Sequence, residues 1–178
     1  MLKVLAIVAA VVVAAVLVVL AMAAAKPDTF SVARSATINA PPEKIFPLIN
    51  DLAKWPLWSP YETKDPAMKR SIGGAQSGQG ATYAWEGNSE VGKGRMEIAE
   101  SVPPSKVGLK LDFERPFEAH NLVDFTLEPK GDATTVTWEM RGPTPFFAKI
   151  IHVFFDMDRM VGTDFEAGLA KLKAEAEK

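Results

Sequence analysis

The chain has 178 residues, a formal net charge of −2 at pH 7 and no cysteine. This length fits one globular domain with an additional segment. The lack of cysteine excludes disulfides, thiolate metal sites and cysteine nucleophiles, and the charge balance gives no sign of the basic face that a nucleic-acid partner requires.

The amino-terminal part of the chain is an apolar segment long enough to cross a bilayer. Residues 4–25 are all Val, Ala, Leu, Ile or Met, and as a helix they would extend over roughly 33 Å. A cleavable signal peptide usually has a shorter apolar core, of about 7 to 15 residues. We therefore predict a single-pass anchor over residues 1–25. Ala21, Ala23 and Ala25 also fit a cleavage site, so secretion after cleavage is the alternative.

The predicted chain organisation is an anchor, a linker over residues 26–29 and one domain over residues 30–178. Lys3 and Lys26 flank the apolar segment on opposite sides, so the charge rule hardly decides the orientation. A short amino-terminal stub favours a domain on the extracytoplasmic, periplasmic side.

The domain begins with a predicted strand and a short helix. Alternation over residues 30–38 is typical of a strand, which Pro41 and Pro42 end. Pro at the first helical position and Glu43 in the first turn favour a helix with one apolar face. Pro47 is expected to kink this helix or to limit its length.

Six further strand-like segments follow, separated by good turn formers such as Gly73-Gly74, Gly87-Asn88 and Pro103-Pro104. Successive antiparallel hairpins are the expected result. The six predicted strands are Met68–Ile72, Ala81–Glu86, Gly94–Ser101, Lys106–Phe113, Glu118–Glu128 and Thr134–Arg141.

One long helix is predicted from Phe146 to Leu172, because apolar residues recur there at steps of three and four. Pro143 and Pro145 fix its start, and Gly162 is a possible bend. The segment 146–155 is apolar on nearly all sides. This favours either a buried helix start or a lid or membrane-contacting surface.

Over residues 29–178 the chain resembles the START-like (SRPBCC) superfamily, specifically the polyketide cyclase/dehydrase and lipid-transport family. The likeness implies an α+β helix-grip fold (START/Bet v 1-like), in which a curved antiparallel sheet of about seven strands wraps a long carboxy-terminal helix. The segments that carry the likeness are INAPPEKIF (38–46), WPLWSP (55–60), GRM (94–96) and FEAGLAKL (165–172).

The resemblance implies an apolar pocket between the sheet and the last helix, and strand alternation predicts which side chains face it. The alternative for each predicted lining residue is a place in the hydrophobic core without ligand contact. Trp55 and Trp58 either gate the entrance or staple the first helix to the sheet. Asn121 would orient a ligand carbonyl or bond a neighbouring backbone group. The predicted ligand-binding residues are Trp55, Trp58, Tyr83, Trp85, Met96, Phe113, Asn121, Phe125, Trp138, Met140, Phe154, Met157 and Val161.

No catalytic, metal or cofactor motif accompanies this pocket in the sequence. His120 and His152 lack a second histidine at ligand spacing. His120 and Asp124 share a strand face that alternation assigns to the outside, where an exposed pair is expected rather than an acid/base dyad.

The functional hypothesis is noncatalytic binding or transport of a hydrophobic small molecule or lipid, tethered to the membrane through residues 4–25. One alternative is an enzyme of the cyclase/dehydrase kind, in which Asn121 or Tyr83 assists proton transfer. The other is a protein-interaction module that meets its partner near Trp58 or over residues 146–155.

Overall fold

The computed structural model describes all 178 residues, and its seven strands form one antiparallel sheet in the order β1-β7-β6-β5-β4-β3-β2. The helices lie at both ends of the chain and between the first two strands. The elements are α1 (Leu2–Ala24), β1 (Thr29–Ile38), α2 (Pro42–Asn50), a 3₁₀ helix (Leu52–Leu57), α3 (Tyr61–Lys64), β2 (Lys69–Gly74), β3 (Ala81–Glu86), β4 (Lys93–Val102), β5 (Lys106–Arg115), β6 (Ala119–Lys130), β7 (Ala133–Pro143), α4 (Phe146–Phe154) and α5 (Met157–Ala176).

The predicted fold class is confirmed, and each predicted strand lies within two residues of the observed one. Consecutive strands from β2 to β7 pair as hairpins, which the turn formers in the sequence favour. β1 then joins the sheet beside β7, with Thr29 opposite Pro143 and Ile38 opposite Thr134. The first and last strands are therefore neighbours.

The prediction of one uninterrupted carboxy-terminal helix is wrong. The chain breaks after α4, where Phe155 and Asp156 adopt extended backbone conformations. The Asp156 carboxylate then accepts a hydrogen bond from the Arg159 backbone N–H at 3.1 Å, which satisfies one of the free donors at the start of α5. Gly162, the expected bend, lies inside α5.

Two tryptophans fix the end of α2, a nine-residue helix that contains Pro47. The indole N–H of Trp55 donates to the Ile49 carbonyl at 2.9 Å, and that of Trp58 donates to the Leu48 carbonyl at 2.8 Å. Carbonyls in the last turn of a helix have no partner within the helix. The two rings therefore cap α2 and staple it to the core.

The core is a cluster of 27 buried residues between the inner face of the sheet and the layer formed by α5, α2 and the 3₁₀ helix. None of its members comes from α1. A Cβ at Gly168 of α5 would lie 2.7 Å from the ring of Trp138. Because glycine has no side chain, α5 and the sheet can approach closely at this point. Residues 26–178 thus contain the whole core.

α1 is long enough and apolar enough to cross a membrane, as an anchor or as a signal sequence. Its apolar side chains are exposed along most of its length. Ala23 in the last turn is the only buried residue of the helix.

Candidate functional site

Side chains of the predicted lining do face the inner side of the sheet, but the middle of that face is filled by the protein itself. The ring of Trp138 stacks on Phe165 of α5, with centroids 4.0 Å apart and an interplanar angle of 11°. Trp55, Trp58 and Phe125 pack around this pair with centroid distances of 4.9 to 6.0 Å. These five aromatic residues form packed core, and any ligand contact by them stays a prediction.

Two predicted lining residues on β3 are held by specific polar partners. The Trp85 indole N–H donates to the Val91 carbonyl at 2.9 Å. The Tyr83 hydroxyl donates to Glu62 at 2.7 Å, and Glu62 also accepts a hydrogen bond from Arg70. Burial and the bond to Glu62 raise the pKa of Tyr83 well above its usual range. Tyr83 is therefore a fixed neutral donor.

The inner face is less completely covered towards the end where β1 begins. Two residues away along each strand, on the same inner face, lies a row whose side chains are buried. Its members are Val32, Met140, Val123, Leu109 and Ile98. In the next row the apolar side chains of Phe30, Leu111 and Met96 are only half-buried, although they pack against the core. Phe113 and Val161 are half-buried in the same way.

This partly covered row crosses the sheet as neighbouring residues on one face. Register pairs Phe30 with Gly142, Asn121 with Leu111, and Leu111 with Met96. Gly142 stands beside Asn121, because a Cβ on Gly142 would lie 2.1 Å from the Asn121 Oδ1. Residues directly opposite in a sheet point to the same side. The row, here called the open row, is thus Phe30, Gly142, Asn121, Leu111 and Met96.

Asn121 is the polar member of the open row. It is 7% exposed, and its side-chain amide makes no hydrogen bond to another protein group. The bond to neighbouring backbone that the sequence left open is not formed. The amide atoms are not fully shielded from solvent, so water can satisfy them when no ligand is present. Asn121 can therefore donate to, or accept from, a bound molecule that lies along the row.

A surface cleft of about 650 Å³ adjoins the open row through Phe30. Its walls are the start of β1, residues 29–32, and the α4–α5 junction, residues 152–158. The His152 ring stands edge-on to Phe30, with centroids 6.5 Å apart. Burial, together with the nearby Lys26, lowers the pKa of His152 below its usual value. The cleft wall is thus mixed: Phe30, Phe154 and Phe155 are apolar, the imidazole is neutral at neutral pH, and Lys26, Asp156 and Asp158 add charges.

The three predicted helix-side residues occupy different positions. Phe154 is 66% exposed at the end of α4 and lines the surface cleft, not the space between the sheet and α5. The break at Asp156 turns it away from the stripe of α5. Met157 is half-buried in the cleft wall, and Val161 packs against the core.

The histidine and aspartate on β6 lie on the outer face, as predicted, but they bond different partners. His120 Nδ1 lies 2.7 Å from an Asp112 carboxylate oxygen, which raises the pKa of His120 and lowers that of Asp112. Asp124 instead pairs with Lys106 at 3.5 Å and with Arg141.

Arg34 is an inward-facing charge that the sequence analysis did not predict. It lies opposite Trp138 on the inner face and donates to Glu166 at 2.8 Å and to Asp158 at 2.9 Å. A Cβ on Gly162 would lie 2.0 Å from its guanidinium. Arg34 therefore ties β1 to the first half of α5. The strand alternation itself contained this signal, because Arg34 follows Val32 by two positions.

The comparison with family sequences covers nearly the whole domain. Residues 29–177 match the family described as "Polyketide cyclase / dehydrase and lipid transport". The chain belongs to this family. The family pairs catalytic members with lipid carriers, which is consistent with hydrophobic ligand binding and assigns no specific reaction or cargo. A search of curated proteins finds no match.

Solved structures share the fold of this family member at low sequence identity. Protein CV1439 from Chromobacterium violaceum has a TM-score of 0.60 at 15% identity, over 86% of this chain and 99% of its own. The Aha1 dimer from Colwellia psychrerythraea has a TM-score of 0.60 at 17% identity, over 83% and 96%. Major latex-like protein 151 from Panax ginseng has a TM-score of 0.59 at 12% identity, over 85% and 100%. These likenesses support the fold.

Proposed function

We propose that this protein binds a hydrophobic small molecule or lipid along the open row, without catalysis, and that α1 tethers it to the membrane. The observation that carries the proposal is a row of half-buried apolar side chains around one amide that has no protein hydrogen-bond partner and keeps some access to solvent. Small-molecule sites commonly combine an apolar lining with a few convergent polar groups. Membership of a family that includes lipid transport supports the same class of ligand.

The open row offers enough apolar surface for useful affinity. At about 25 cal/mol per Å², burying about 300 Å² of ligand would contribute roughly 7 kcal/mol before the costs of association. The Asn121 amide adds orientation, because a carbonyl or hydroxyl of the ligand would satisfy it. Phe30 extends the apolar surface into the adjoining cleft.

A retained α1 supports this function, because it holds the cleft near a source of lipidic molecules and raises their effective concentration. The chain leaves α1 through Lys26 and Pro27, and both residues line the cleft. In the same proposal the domain lies on the extracytoplasmic side.

The test is ligand binding by the full chain, isolated from its native membrane in polymer-bounded nanodiscs. Leu111→Trp fills the open row, whereas Leu122→Trp adds the same side chain to an exposed position on the outer face of the neighbouring strand. We expect a fluorescent fatty-acyl probe to bind wild type and Leu122→Trp, and Leu111→Trp to bind at least about tenfold more weakly.

Native mass spectrometry of residues 26–178, purified without detergent, gives an independent measurement. A protein that is consistently empty and also fails to bind the probe would overturn the proposal. Equal binding by the two tryptophan variants would remove the open row as the site.

A further inference from the structure

α4 presents an apolar surface that the rest of the domain leaves uncovered. Phe146, Phe147, Phe154 and Phe155 are each between 49% and 66% exposed, in and directly after a helix of nine residues. Single exposed apolar residues are ordinary in soluble proteins, but several aromatic rings together on one short helix are not. This concentration of rings requires an explanation.

α4 packs against the carboxy-terminal turns of α1. Val19 is half-buried and Ala23 is fully buried, whereas the earlier residues of α1 are exposed. α1 has the length and composition of a membrane span. The exposed rings of α4 therefore lie level with the end of that span, where an interfacial helix would lie.

The one lysine of α4 faces away from the exposed surface. Lys149 is buried, and its Nζ lies 2.6 Å from Asp28 Oδ1 in the link between α1 and β1. The backbone carbonyl of Asp28 also accepts a hydrogen bond from the Thr144 N–H at 2.7 Å. These bonds lock α4 to the exit of α1 and keep the Lys149 ammonium group away from the rings.

A further ring from the sheet extends the same surface. Phe117, in the hairpin between β5 and β6, is 59% exposed and lies edge-on to Phe147 at a centroid distance of 5.6 Å. We call the set Phe117, Phe146, Phe147, Phe154 and Phe155 the α4 patch. The patch borders the cleft, since Phe154 and Phe155 also line it.

We propose that the α4 patch is a membrane-docking surface, which lies in the lipid interface beside α1 and places the mouth of the cleft on the bilayer. Phenylalanine, leucine and tryptophan supply the apolar face of helices that lie in the plane of the bilayer, at the boundary between headgroups and acyl chains. The bilayer is the occupant that α1 brings to this position. The inference rests on the proposed retention of α1 and does not depend on the ligand.

Because the chain has no cysteine, single-cysteine variants of the full protein give site-specific depth measurements. Phe147→Cys and Phe154→Cys carry an environment-sensitive nitrobenzoxadiazole label on the patch. Val12→Cys in α1 is the membrane-embedded control. Val102→Cys is the aqueous control, at the sheet end remote from Phe117 and 45% exposed. All four proteins are placed in nanodiscs with nitroxide lipids labelled at shallow or deep acyl positions.

We expect both patch labels to have blue-shifted emission and to be quenched more strongly by the shallow nitroxide than by the deep one. The label at position 12 should be quenched more strongly by the deep nitroxide than by the shallow one, and the label at position 102 should show little quenching. Patch labels quenched no more than Val102, with Val12 quenched, would overturn the docking surface and leave the tether intact. A blue shift without nitroxide quenching would indicate contact with protein, a second copy included, and would also overturn it. An unquenched Val12 would overturn both the tether and the docking surface, whereas ligand binding is measured separately.

Discussion

Asn121→Leu is expected to stabilise the ligand-free domain while it weakens ligand binding. Asn121 is 7% exposed and its amide has no protein partner but keeps some contact with solvent, so the native protein carries only part of the desolvation cost of an unpaired amide, about 1 kcal/mol or less. Leucine has a similar volume and no polar atom to satisfy. We therefore expect the free energy of unfolding to rise by up to about 1 kcal/mol, which for a domain of this size raises Tm by roughly 2 to 4 °C.

The assay is urea unfolding of residues 26–178, with and without the fatty-acyl probe. Leu122→Asn is the control. It makes the reverse replacement, Leu by Asn, at the next position of the strand, whose side chain points outward. Its stability should stay within about 0.5 kcal/mol of wild type. A loss of 1 kcal/mol or more in Asn121→Leu would refute the reasoning, because it would show that the amide has a partner in the folded, ligand-free protein.

Two further predictions concern the packing of α5 and the charges on the outer face. Gly168→Ala should lower the free energy of unfolding by roughly 1–3 kcal/mol, because its Cβ would lie 2.7 Å from the Trp138 ring. In an NMR titration His120 should protonate above the usual histidine pKa, because Asp112 accepts its hydrogen bond, and His152 below it. The raised pKa of His120 means that its contribution to stability is present below the unfolded pKa of 6.5 and is lost as pH rises through the folded value.

The controls for these predictions are close in sequence or chemistry. Ala167→Ser changes an exposed residue one position before the glycine and should leave stability within about 0.5 kcal/mol. Asp112→Asn should return the pKa of His120 towards its usual value without moving that of His152. Unchanged stability in Gly168→Ala would contradict the close helix–sheet contact, and two equal histidine titrations would contradict the hydrogen bond to Asp112.

The sheet was predictable because its turns and its alternation agree along the chain. Turn formers separate every pair of strands, so the predicted strand limits lie within two residues of the observed ones. Alternation also assigned Met96, Asn121 and Phe125 to the inner face correctly. It did not reveal how far the helices cover that face. The same pattern describes Phe125, which is packed core, and Met96, which is half-buried.

The break between α4 and α5 could not be predicted from periodicity. Apolar residues continue through Phe154 and Phe155, and an aspartate at position 156 is compatible with an exposed helical face. In the structure the Asp156 carboxylate caps a new helix, so a local side-chain hydrogen bond overrides the hydrophobic period. The position of the candidate cleft follows from this break.

The pairing of β1 with β7 governs the order of events during biosynthesis. β1 has its strand partner 114 positions later, as Thr29 opposite Pro143 shows, and such distant contacts form slowly. β1 precedes β7 in the chain, so it has no strand partner on that side until β7 has been synthesised. The sheet therefore closes late, after its last strand has been made.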